Sequence, residues 1–173
     1  MILWIGAVMI LTGAAGTGIC ICRERQEHSS QLRSLQKAFE MIAGEVGYSR
    51  ISLPEILQQT SERVSDSKLG ETFRHIAERL CDGSGQDMGM IWEEEMSSFL
   101  DKGLLSETER ELLLSFPYSV WYPDSKRQQE AVTEFSLQVA AAAAAALLKQ
   151  REENRITMLL SMAFGIFTAL ILL

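Results

Sequence analysis

Apolar positions along this chain fall into two kinds: an uncharged run at each end and, between them, a succession of amphipathic stretches with helical spacing. The C-terminal run, Ile156 to Leu173, has eighteen residues and no charge. Its ten Leu, Ile and Phe residues contribute roughly −5 kcal/mol on an insertion scale, which predicts a membrane-spanning helix over 156–173. The N-terminal run, Ile2 to Cys22, is also uncharged and about twenty residues long, enough for one crossing, so residues 1–22 are read as a first span. A cleaved signal peptide would need positive charge ahead of the apolar run, whereas Arg23 and Arg25 follow it. Thr157, Ser161, Gly165 and Ala169 recur at steps of four, and Gly6, Gly13 and Thr17 share a face of the first span. Stripes of small residues let apolar helices approach closely, so the two faces are expected to meet within the bilayer.

Residues 23–155 carry all the charge and have the size of one ordinary domain. From Glu24 the first helix is expected to run on, with Leu32, Leu35, Phe39, Ile42 and Val46 as a buried stripe closed near Gly47. Ser52 and Glu55, around Pro54, predict a capping box for a second helix with Leu53, Ile56, Leu57 and Val64 buried. A third begins near Ser67 with Leu69, Phe73, Ile76, Ala77 and Leu80 on its inner face, and ends at the loop signal Asp82 to Gly85. Asp87 caps a fourth, with Met88, Ile91, Trp92, Phe99 and Leu100 inward and the acidic run Glu93, Glu94, Glu95 mostly solvated. Ser106 and Glu109 form a second capping box for a short fifth helix, with Leu112, Leu113 and Phe116 buried. Pro117 and Pro123 bracket Tyr118 to Tyr122 as a turn, after which Asp124 or Ser125 caps a helix of some forty residues. Its seven consecutive alanines, Ala140 to Ala146, invite close packing, and the 32–46 helix is the expected neighbour. No stretch alternates with period two, so the fold class is all-α: a bundle of about six helices carried on a two-span hairpin.

Charge refines this picture. Sixteen basic against 23 acidic residues give a net −7, which excludes a nucleic-acid partner that would need clustered Lys and Arg. Arg23 and Arg25 follow the first run, while Lys149, Arg151 and Arg155 precede the second, so the central domain is expected to face the cytoplasm. Cys20 and Cys22 lie at the end of a span and Cys81 is alone in the domain, which leaves no disulfide framework or metal spacing. Cys81 reads as a small buried hydrophobe.

Candidate chemistry is sparse. The chain lacks G-x-S-x-G, H-E-x-x-H and a phosphate-binding glycine loop ahead of Lys and Ser/Thr. His28 and His75 read as surface residues, and three sequential glutamates splay around a helix instead of converging on one atom. The expectation is therefore a protein with no catalytic residues, cofactor, metal or small-molecule substrate. Two patches remain as candidates for contacting a protein partner: Glu93, Glu94 and Glu95, and the aromatic turn with Tyr118, Trp121 and Tyr122, next to Asp124. Asp124 is equally explained as a helix cap.

The order of residues resembles one family. An uncharged run followed by Arg23 and Arg25, then Leu32, Leu35, Ala38, Glu45, Tyr48, Leu53 and Glu55, then Trp92, Asp124 and Gln128 and a last apolar run, is similar to the stage III sporulation protein AB family of endospore-forming bacteria. Pro54 stands two steps after the position where that family usually has its proline, and Pro117 and Trp121 stand where it tends to have glycines. The resemblance implies a membrane component of a channel complex between mother cell and forespore, with a helical domain like those of type II secretion platform proteins. It implies a mother-cell cytoplasmic domain, a membrane around the forespore, and as partners a secretion-type ATPase and other stage III channel subunits. A membrane-bound sensor signalling through the long C-terminal helix is the alternative the residues leave open.

Overall fold

The computed structural model describes residues 2–48, 51–82, 85–101, 103–120 and 125–172, which form seven helices and, among the described residues, no strand. They are α1 (Ile2–Tyr48), α2 (Leu53–Arg63), α3 (Ser67–Cys81), α4 (Met88–Leu100), α5 (Glu107–Leu114), α6 (Phe116–Val120) and α7 (Ser125–Leu172). Two compact units result: Ser30–Ala144, and a second made of Met1–Ser29 with Ala145–Leu173. Helices α1 and α7 contribute to both, because neither is interrupted by proline.

Rings organise the Ser30–Ala144 unit. Phe39 of α1 stands 5.0 Å from Phe135 of α7, 5.1 Å from Phe116 of α6, and 6.3 Å from both Phe73 of α3 and Trp92 of α4, centroid to centroid. Phe116 in turn lies 4.7 Å from Trp92 and 5.0 Å from Phe135. All five rings are buried. Each pair adds about 0.5–1.5 kcal/mol beyond the area it removes from water. Burying the Trp92 indole requires a partner for its N–H, which donates to the Leu113 carbonyl of α5 at 3.0 Å. Val132, Phe135, Val139 and Ala143 of α7 are buried, and Phe135 meets Phe39 of the 32–46 segment ring to ring.

Local signals set the helix ends. The Asp66 carboxylate accepts from the Lys68 and Leu69 amides (3.0 and 3.3 Å), Asp87 accepts from Gly89 (2.9 Å), and Ser106 and Glu109 form the expected reciprocal box. At Ser52 the expected box is absent, and the side chain makes no cap bond. Pro54 removes one of the two amides such a cap could bond, and the Ser52 carbonyl carries the first helical bond, from Ile56, at 3.0 Å. The predicted turn after Phe116 is instead the short helix α6, whose Pro117 sits in the first turn, where its missing N–H costs nothing. Cys81 is exposed, contrary to its reading as a core residue: it lies one position past the Leu69, Phe73, Ile76, Leu80 stripe, beside Asp82. Leu53 and Val64 are half-buried at the rim. Between α2 and α3 the backbones approach so closely that a Cβ on Gly70 would stand 2.7 Å from the Ser61 carbonyl oxygen.

In the other unit, α1 and α7 are joined by a polar clamp. Arg25 Nε lies 3.1 Å from Glu153 Oε2, and its Nη1 donates to Thr157 Oγ1 at 3.2 Å. Among the described residues, Lys126–Ser161 is the helical stretch long and apolar enough to cross a membrane by length and composition. Residues 2–22, and with them the side-chain positions of Gly6, Gly13 and Thr17, lie outside the described side chains, as do Gly165 and Ala169. Ser161 is half-buried.

Phe39→Ala is expected to lower the unfolding free energy by about 3–5 kcal/mol, because it opens a cavity facing four rings. Gly70→Ala, although it adds only one methyl group, should cost about 1–3 kcal/mol by forcing α2 and α3 apart. Denaturant melts of the full-length protein check both, and a wild-type midpoint for Gly70→Ala would refute the close approach.

Candidate functional site

Helices α3 and α4 pack against each other across the connection that follows Cys81. Arg79, near the end of α3, reaches the second turn of α4. Its Nη1 donates to Glu95 Oε1 at 2.8 Å and its Nη2 to Glu94 Oε2 at 2.9 Å, with Gln86 Oε1 accepting at 3.1 Å. His75 Nδ1, one turn earlier on α3, lies 3.7 Å from Glu95 Oε2. Hydrogen bonds donated to Glu95, then to Glu94, push the guanidinium pKa of Arg79 further up, so the charge is held firmly.

Of the acidic run read as mostly solvated, Glu93 and Glu94 are exposed and Glu95 is the exception. Sequential glutamates do splay around α4, yet the long, forked guanidinium of Arg79 reaches two of them at once. Glu95 is mostly covered, with 23% of its side chain exposed, whereas Glu94 is 70% exposed and Glu93 is exposed. Glu93 is the member of the three for which no ion pair is found among the described residues. Sequence reasoning passed over Arg79, because its pairing with Glu94 and Glu95 depends on how α3 packs against α4 and not on spacing along the chain.

The aromatic patch divides as well. Phe116 is central to the core, while Tyr118 is 68% exposed. The Tyr118 ring lies across the start of α4: a Cβ on Gly89 would stand 2.9 Å from the phenol oxygen. Gly89 and Glu93 are one helical turn apart, and Met90, between them, is 65% exposed. Tyr118, Met90 and Glu93 consequently form one surface, apolar and aromatic at one end and acidic at the other, where two separate patches were expected. Trp121, Tyr122 and Asp124 lie outside the described residues.

The chain is similar to known proteins. The family model for stage III sporulation protein AB matches residues 3–173. Stage III sporulation protein AB of Bacillus subtilis (strain 168) is 24% identical over 132 residues, which is 76% of this chain and 76% of that protein. A solved structure of a stage III sporulation protein AB superposes with a TM-score of 0.64 at 23% identity, over 73% of this chain and 98% of that one, a likeness of fold.

A double-mutant cycle tests the clamp on α4. Coupling between Arg79→Gln and Glu95→Gln should exceed that between Arg79→Gln and Glu94→Gln, since the Glu95 carboxylate is the better shielded from solvent, and both should shrink as salt is raised. Equal couplings measured by thermal melts would contradict the unequal burial.

Proposed function

Because the chain belongs to the stage III sporulation protein AB family and so has a sporulation-related role, we propose that it is a structural adaptor in a secretion-like channel complex between mother cell and forespore. In this reading residues 1–22 and 156–173 cross the mother-cell membrane around the forespore, and 23–155 form a cytoplasmic domain that anchors or couples a secretion-type ATPase to the other stage III subunits.

The observation that carries the membrane part is on α7. Ile156, Met158, Leu159, Leu160, Phe164 and Phe167 are each more than half exposed, a density of large apolar side chains that water does not favour. They follow directly on Arg151 and Arg155, the flank expected on the cytoplasmic side. The Arg25 clamp onto Glu153 and Thr157 joins the helices near this boundary, where a charged group can still reach water. The small faces Gly6, Gly13, Thr17 and Thr157, Ser161, Gly165, Ala169 remain the proposed packing surfaces beyond it.

For the partner we assign the surface of Tyr118, Met90 and Glu93, with Glu94 and Glu95 behind it and Trp121, Tyr122 and Asp124 following in the chain. An exposed aromatic and a flexible methionine beside an acidic side chain suit a basic protein surface.

Two measurements test this. With Cys20 and Cys22 replaced by serine, a membrane-impermeant maleimide should leave exposed Cys81 unlabelled in intact sporulating cells and label it after permeabilisation; labelling of intact cells overturns the orientation. Glu93→Lys combined with Tyr118→Ala, which leaves the Arg79 pairs in place, should reduce recovery of the ATPase with the full-length protein. Undiminished recovery removes this surface.

A further inference from the structure

A cavity of about 230 Å³ lies between α1 and the connection from α2 to α3. Arg33, Lys37 and Arg63 line it together with Ser30, Ser34 and Ser65, over a floor of Met41 and Val64. Not one of these residues is acidic, in a protein whose acidic residues outnumber its basic ones 23 to 16.

Arg63 is partly neutralised, since its Nη1 lies 3.1 Å from Glu45 Oε1. Arg33 and Lys37 have no ion pair among the described residues. They stand four apart on α1, so their like charges repel across one helical turn, and folding alone has no use for that repulsion. An anion between them would relieve it. Ser30 and Ser34 precede these two cations on the same face of α1, and Ser65 approaches from the α2–α3 connection. Three hydroxyls, an ammonium and a guanidinium that forks onto paired oxygens are the donor set a phosphate group takes.

The volume selects among phosphates. About 230 Å³ is room for roughly seven waters and is smaller than the roughly 300–1,000 Å³ that drug-sized ligands occupy. We propose that this cavity binds a single phosphate group, presented either by a soluble phosphate or by a lipid headgroup. The site stands on the Ser30–Ala144 unit alone and is independent of the adaptor reading.

Thermal melts of the full-length protein in a neutral detergent test it, at constant ionic strength, with inorganic phosphate and with short-chain phosphatidylglycerol as probes. Saturable stabilisation by either probe, weakened about tenfold or more in the doubly substituted Arg33→Gln, Lys37→Gln protein, supports the site. A response to phosphate assigns the soluble source; a response to the lipid alone assigns the headgroup. Arg33 and Lys37 are exposed and hold no described ion pair, so the double variant, freed of their mutual repulsion, should melt at or slightly above the wild type without probe. If it does not, Ser34→Leu, which fills the cavity and keeps the cations, is read in its place. No saturable stabilisation by either probe, or equal stabilisation of wild type and variant, overturns the proposal.

Discussion

The Ser30–Ala144 unit depends on keeping five aromatic rings dry at one point. Phe39, Phe73, Trp92, Phe116 and Phe135 come from five different helices, so one cluster fixes the position of α1, α3, α4, α6 and α7 relative to one another. Helix α5 is tied in by the bond from the Trp92 indole to Leu113, and α2 by Ile56 and Leu57 together with the close approach at Gly70. Short helices such as α5 and α6 are not stable alone, and packing against a common centre supplies what their propensity cannot.

Around that centre, charge is sorted rather than scattered. On the α3–α4 side, Arg79 gathers Glu94 and Glu95 and leaves Glu93 free for outside contact, beside Met90 and Tyr118. On the α1–α2 side, Arg33 and Lys37 line a cavity whose lining residues include no carboxylate. In a chain with net charge −7, the sign of the surface charge thus differs from one face of this unit to another.

The two long helices, α1 and α7, belong to both units. Each contributes to the aromatic cluster of one unit and to the Arg25 clamp of the other, without a break in hydrogen bonding.

Periodicity determined much of this protein in advance. Helical spacing from Leu32 to Val46 and from Leu69 to Leu80, the caps at Asp87 and Ser106, the unbroken last helix and the sporulation family were all legible, because each rests on residues close in sequence. Only the tertiary structure decided that Tyr118 to Val120 are helical, that Cys81 misses the core by one position, that Arg79 draws two glutamates together, and that Tyr118 lies against Gly89. It also decided that three cations from α1 and α2 share a cavity. Each of these outcomes depends on which helices become neighbours, and that choice is made by burying rings far apart in the chain, a matter about which local spacing is silent.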